Sequence, residues 1–315
     1  MPDSSPSDHD QRLKVLIKEF FEQFFRCFFS HWADRFDFTD ITWLDKEVFL
    51  SPPQGDKRQL DLVARVRTRP EYPPPRADLS ELLALIHVEV ESRDSVQQFR
   101  PRIFEYYTQL RRDFSLPVLP IGLFLKVGLD GIGWDSYEEY FWERRVLHFE
   151  YAYVGLPALQ AEEYANGEHL LGVALSALMR TSQERRAELY AESLKRIALA
   201  SENDWRKYLL TECLEAYTKL DDIQTQQLKA LLDSERFKEA KPLMITSYER
   251  GKSEGLMLGK LEALRETALY QLDARFGPLD LGIKERVTEM NFDQLQELLI
   301  RIVKVSNVDE LQLGG

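Results

Sequence analysis

The sequence has few cysteines. Two of them, Cys27 and Cys213, stand 186 positions apart in a 315-residue chain. A pair so separated makes neither a disulfide framework nor a zinc cluster by itself, and it suits a reducing compartment. No apolar run approaches the roughly 18 residues needed to cross a bilayer. The start, Met1-Pro2-Asp3-Ser4-Ser5, is acidic and polar, without the basic and apolar regions of a secretion signal. A cytoplasmic protein that makes no membrane insertion is the expectation. Positive charge is also scarce: 41 Lys and Arg stand against 53 Asp and Glu, a net charge of -12. Nonspecific coating of nucleic acid needs the opposite balance. An enzyme acting on nucleic acid is not excluded, since it needs only a local basic strip beside its site, and an acidic site can recruit its own metal cations. Histidine is rare, and His9, His31, His148 and His169 have no ligand-like spacing. Ser92 lacks a nucleophile-elbow context, which argues against Ser/His/Asp hydrolysis.

What is present is a globular composition, 44% apolar and 30% charged. Residues 1–10 are expected to be a flexible N-terminus. Leu13, Leu16, Ile17, Phe20, Phe21, Phe24, Phe25 and Phe28 recur at helical spacing and predict one long buried helix over residues 11–32. Residues 36–41 are expected to connect it to a strand near 43–50. A turn at Ser51-Pro52-Pro53-Gln54-Gly55 then leads to a second strand at 58–67, a hairpin. The proline-rich stretch 69–76 predicts a loop. The run Leu82 to Val90 predicts a central strand, residues 99–114 a helix, 116–127 a buried strand and 145–154 another. This order predicts an α/β fold, a mixed sheet flanked by helices over residues 11–156. A helical extension is expected over 157–250. Gly251, Gly255 and Gly259 mark 251–260 as a linker or a helix, and 261–315 reads as a small helical C-terminal domain.

Chemistry concentrates on the strand His87-Val88-Glu89-Val90-Glu91. Alternation puts His87, Glu89 and Glu91 on one face. Two carboxylates ending an apolar strand repel one another and resist desolvation, and a divalent cation would remove both costs. Asp61 is a lone acid in the apolar segment Leu60-Asp61-Leu62-Val63, and a neighbouring pair of strands would bring it beside Glu89. The alternative is that Glu89 and Glu91 lie on a solvated strand face. On the next helix, Arg100, Phe104, Tyr107 and Arg111 fall at helical spacing. That row suits either a DNA backbone or a plain solvated face.

The same segments resemble a known family. His9-Asp10 with Lys14, Leu60-Asp61-Leu62-Val63, His87 to Ser92, Phe99 to Tyr107 and Leu116 to Ile121 are similar, in that order, to the Rpn-type recombination-promoting nucleases. With their transposase-like relatives, these form a branch of the PD-(D/E)xK superfamily. Residues 269–311, around Leu272-Asp273-Ala274-Arg275-Phe276-Gly277-Pro278-Leu279, resemble a small helical domain of unknown function found beside such cores. The resemblance implies a metal-dependent DNA endonuclease of recombination or mobile elements. Its implied catalytic set is Asp61, Glu89 and Glu91. Mg²⁺ or Mn²⁺ would sit on Asp61, Glu89 and the Val90 carbonyl. Arg100, Arg102 and Tyr106 are the expected phosphate contacts, and Glu19 an accessory acid. The family has Lys, or in this branch often Gln, where this chain has Glu91. That reversal of sign suits a general base, a further ligand or a weakened activity. The second expectation is therefore a PD-(D/E)xK-fold interaction protein without turnover, assembling as a homo-oligomer through its helical C-terminal half.

Overall fold

The structure, a computed structural model, describes residues 6–44, 61–72, 83–91, 95–243, 247–305 and 307–311. They fall into two compact units, Met1–Lys241 and Pro242–Gly315.

The first unit is α/β, built on a mixed sheet of six strands. The phenylalanine-rich start is helical but broken into α1 (Pro6–Glu19), α2 (Phe21–Phe28) and α3 (Ser30–Ala33). The breaks fall at Phe20 and Phe29, both buried. Packing of rings sets these boundaries where the helical period alone runs through. α1 begins at Pro6, inside the segment expected to be flexible; residues 1–5 lie outside the described ones.

Strand β1 (Phe36–Trp43) occupies what the sequence suggested was a connector, because Phe36 and Phe38 pack edge-on or tilted against Phe25 of α2. Residues 45–60, which hold most of the expected first strand and its turn, lie outside the described residues. β2 (Leu62–Thr68) pairs antiparallel with β1. It also pairs antiparallel with β3 (Leu83–Glu91), Leu62 opposite Val88 and Val63 opposite His87. The helix α4 (Val96–Phe114) then crosses to β4 (Val118–Phe124), which runs parallel to β3.

The sequence reading left residues 131–141 unassigned, yet they form β5 (Gly131–Phe141). β5 is an edge strand paired antiparallel with β6 (Arg144–Gly155), and β6 runs parallel to β4. β5 mixes glycine, acids and aromatics and is mostly half-buried or exposed, so it lacks the apolar signature of a central strand. The strand order is β1-β2-β3-β4-β6-β5.

Phe99, Ile103, Tyr106 and Leu110 form the buried stripe of α4. Phe99 and Ile103 pack with Phe124, Phe149 and Tyr151, while Tyr106 and Leu110 pack with Val63 and Leu85. Gly122, opposite Glu89 in the β3–β4 ladder, makes this seating feasible. A Cβ there would stand 2.9 Å from the Phe99 ring. The close approach holds α4 directly over the end of β3.

The remaining helices of this unit are α5 (Ala161–Ala165), α6 (Leu170–Leu175), α7 (Arg186–Leu199), α8 (Asp204–Tyr217) and α9 (Asp222–Leu232). They are tied back to the N-terminal helices. Arg12 pairs with Glu212, Arg206 with Glu19 and Glu202, and the Leu171 amide donates to Gln23 at 3.0 Å. The expected core and its helical extension therefore belong to one compact unit.

The second unit holds α10 (Ser247–Phe276), α11 (Leu281–Glu289) and α12 (Phe292–Lys304) around Leu272, Val287, Leu295, Leu298 and Ile302. Of the two alternatives for the glycine series, the helix is realised: Gly251, Gly255 and Gly259 all fall within α10. Among the described residues, no helix is long and apolar enough to cross a membrane.

Candidate functional site

The site forms at the carboxyl end of β3. Asp61 stands at a bend immediately before β2, and its Oδ2 accepts the Val90 amide of β3 at 2.8 Å. The carboxylate thereby takes over main-chain pairing just past the last Leu62–Val88 rung. Lys14, from α1, forms an ion pair with Oδ1 of the same acid. Glu89 lies beside Asp61 and is 5% exposed. Its Oε1 is 3.4 Å from Nε of Arg102, and its Oε2 is 3.3 Å from Nε2 of His87. Glu91, 4% exposed, forms an ion pair with the Arg102 guanidinium. The solvated face weighed for these two glutamates is not what forms, because α4 lies across it.

Three carboxylates thus share two cations, Lys14 and Arg102. Burial raises the proton affinity of Asp61, and the charge of Glu89 adds to it, up to about 6 against the pull of Lys14. Burial does the same to Glu89, up to about 7, with Arg102 and Lys14 opposing. His87 is fully buried, and burial pushes its pKa down to about 4, so the ring is neutral near pH 7. A neutral imidazole has one N–H. If Nε2–H donates to Glu89, Nδ1 carries only a lone pair. Nδ1 has no hydrogen-bond partner, and Tyr106 stacks edge-on against the ring at 5.7 Å.

The expected phosphate contacts are all engaged within the fold. Arg100 makes a two-pronged pair with Asp135 of β5, both distances 2.8 Å. Arg102 is held by Glu89 and Glu91, and Tyr106 is buried against His87. Phe104 and Tyr107 pack on Phe149 of β6 instead of facing solvent. The cause is the β5–β6 hairpin, which covers the helix face that the sequence left open. Glu19 points elsewhere, toward Arg206 of α8 at 3.7 Å. Ser92 and Arg93 lie outside the described residues.

Sequence reasoning underused Lys14 and His87. Alternation had already put His87 on the face of Glu89; nothing local could show that α1 delivers Lys14 to Asp61. The two cysteines are not reactive groups: Cys213 is buried, and burial pushes the Cys27 thiol up to about 12.

The donor chemistry suits a hard divalent cation. Carboxylate oxygens of Asp61 and Glu89 stand together near the main chain of Val90, and their raised proton affinities record first the burial of the charges and only then repulsion from a neighbouring carboxylate, costs that a cation would offset. As arranged, these oxygens are held by Lys14, Arg102, His87 and the Val90 amide. Among the described residues, no group of three or more His, Cys, Asp or Glu side chains is placed to hold a metal ion. A cation taking up Asp61 Oδ1 would have to displace the Lys14 ammonium.

Fold and site together define an α/β protein with a mixed six-stranded sheet and a buried acidic cluster at the β2–β3 end. Comparison with protein-family models, with curated proteins and with solved structures finds no match to this chain.

Proposed function

We propose that the chain is a divalent-cation-dependent DNA endonuclease of the PD-(D/E)xK kind. One observation carries the reading: Asp61, nearly buried, and Glu89, buried, converge at the carboxyl end of a central strand, and burial raises the proton affinity of both. Asp61, Glu89 and the Val90 carbonyl would hold Mg²⁺ or Mn²⁺ in this reading. Such a cation supplies an acidified water and stabilises charge on a scissile phosphate. Lys14 would have to leave Asp61 for a cation to bind there, and its ammonium would then be available to a bound phosphate. Arg102 anchors Glu89 and Glu91, and His87, kept neutral, orients Glu89. Phosphate contacts beyond the centre fall to Arg65 and Arg67. These lie on the face of β2 whose register partners, Leu85 and Leu83, share the His87 face of β3. Arg67 has an exposed partner, Asp40, at 3.4 Å, a pair that a phosphate readily exchanges.

The test is nicking of supercoiled plasmid with Mn²⁺ or Mg²⁺ against EDTA, beside Asp61→Ala and Glu89→Ala. Metal-dependent nicking lost in both variants supports the reading. Nicking that survives both overturns the site.

A second reading has its own observation. Lys14 and Arg102 already balance much of the acidic charge, as they would in a fold kept for interaction and assembly after turnover was lost. In that case the protein neither nicks DNA nor gains thermal stability from Mn²⁺.

A further inference from the structure

A cavity of about 190 Å³, lined by none of the residues of the acidic cluster, opens within the first unit between the residues after α6, the first turns of α7 and the end of α8. Its walls divide by chemistry. Met179, Leu189 and Leu214 give buried apolar surface. Arg186, the first residue of α7, and Lys219, just past α8, supply positive charge, and none of the lining residues is acidic. Among the described residues neither cation is in an ion pair; Arg186 donates instead to the Lys219 carbonyl at 3.3 Å. The positive end of the α7 dipole adds to their field.

One more wall residue points to a ligand. Ser193 is 1% exposed, and its hydroxyl has no hydrogen-bond partner. A buried hydroxyl without a partner is costly, and a bound polar group would remove that cost. A benzene ring fills a cavity of about 150 Å³. The additional volume here matches one or two small substituents.

We propose that this cavity binds a small aromatic carboxylate bearing a second polar group. The carboxylate pairs with Arg186 and Lys219. The ring lies against Met179, Leu189 and Leu214. The second polar atom meets the Ser193 hydroxyl. The site is independent of the acidic cluster and stands whether or not the nuclease reading does.

The test is calorimetric titration of the full chain with para-hydroxybenzoate, benzoate and the neutral para-hydroxybenzyl alcohol. Para-hydroxybenzoate is expected to bind tightest, at least about tenfold above the neutral alcohol. Lys219→Gln changes an exposed residue and leaves the fold intact; it is expected to weaken both carboxylates about threefold. Ser193→Ala is expected to erase the advantage of para-hydroxybenzoate over benzoate, about two- to tenfold. Absence of binding at millimolar concentration overturns the proposal. So does binding in which the neutral alcohol matches the carboxylates, or which ignores both substitutions.

Discussion

Two acidic sites, a lone aspartate and a cluster of three carboxylates, sit on the same sheet under the same helix, and they differ. Asp135 on β5 is a single acid with its own cation. Arg100 grips it with two hydrogen bonds, and the Tyr151 hydroxyl donates to it. Burial alone would raise its proton affinity, but these donors outweigh burial and hold it below the ordinary carboxylate value. At the end of β3, three acids share Lys14 and Arg102, and Asp61 and Glu89 are raised. Arg100 and Arg102 flank the Phe99–Ile103 stripe of α4 on opposite sides, so one helix serves both groups. The Asp135 group has the balance of a structural ion pair. The β3 group sets three acids against two cations at a mostly buried place, and the proposed cation site rests on that imbalance.

The largest expected effect separates the two groups by activity. Glu89→Ala or Asp61→Ala should lower metal-dependent plasmid nicking at least about a hundredfold, since a ligand is lost. Asp135→Asn should leave it within about twofold. Equal losses in all three would dissolve the distinction.

The next largest effect is on stability. Arg102→Met strands Glu91 and Glu89 in a buried place, and denaturant unfolding at about pH 8 should show a loss of about 3–5 kcal/mol. Arg100 is about a third exposed, so Arg100→Met should cost only about 1 kcal/mol.

A third effect depends on pH. Asp61 and Glu89 bind protons more tightly folded than unfolded, so their stabilisation is complete below about pH 4 and is lost as pH rises through about 6 and 7. His87 acts in the opposite sense: its folded value is depressed, so stability is lost as pH falls from 6.5 toward about 4. The two trends oppose each other below 6.5. Above it only the carboxylates act, and metal-free protein should lose stability from there to about pH 8. Lys14→Met should steepen this loss, being more damaging at about pH 8, where Asp61 is ionised, than at about pH 5. A pH series of melting temperatures that stays flat, or in which Lys14→Met costs the same throughout, would refute the assigned strain.

The smallest effect is a metal-induced shift. Mn²⁺ at about ten times its dissociation constant should raise the melting temperature by about 3 °C at about pH 8, and Asp61→Ala should abolish the rise.

Much of this architecture is legible in the chain. The apolar run ending in Glu89-Val90-Glu91 gives a central strand, and its alternation groups His87 with the two glutamates. Asp61 in its apolar segment foretells a neighbouring strand, as the β2–β3 register bears out. β5 was missed because an edge strand carries no run of buried residues. With it went the true surroundings of Arg100, Phe104 and Tyr107. The interruptions at Phe20 and Phe29 escaped for a related reason: the period of a helix says which side is apolar, not where ring packing stops it.

The sequence by itself determined the α/β class, the helical C-terminal unit and the shared face of His87, Glu89 and Glu91. These follow from local periodicity, which acts over a few residues of backbone geometry. Only the tertiary structure decided that this face is buried, that Arg102 is spent on the glutamates, and that α1 brings Lys14 across 47 positions of sequence to Asp61. Charge balance in a buried place depends on what packs over it, and those neighbours come from distant parts of the chain.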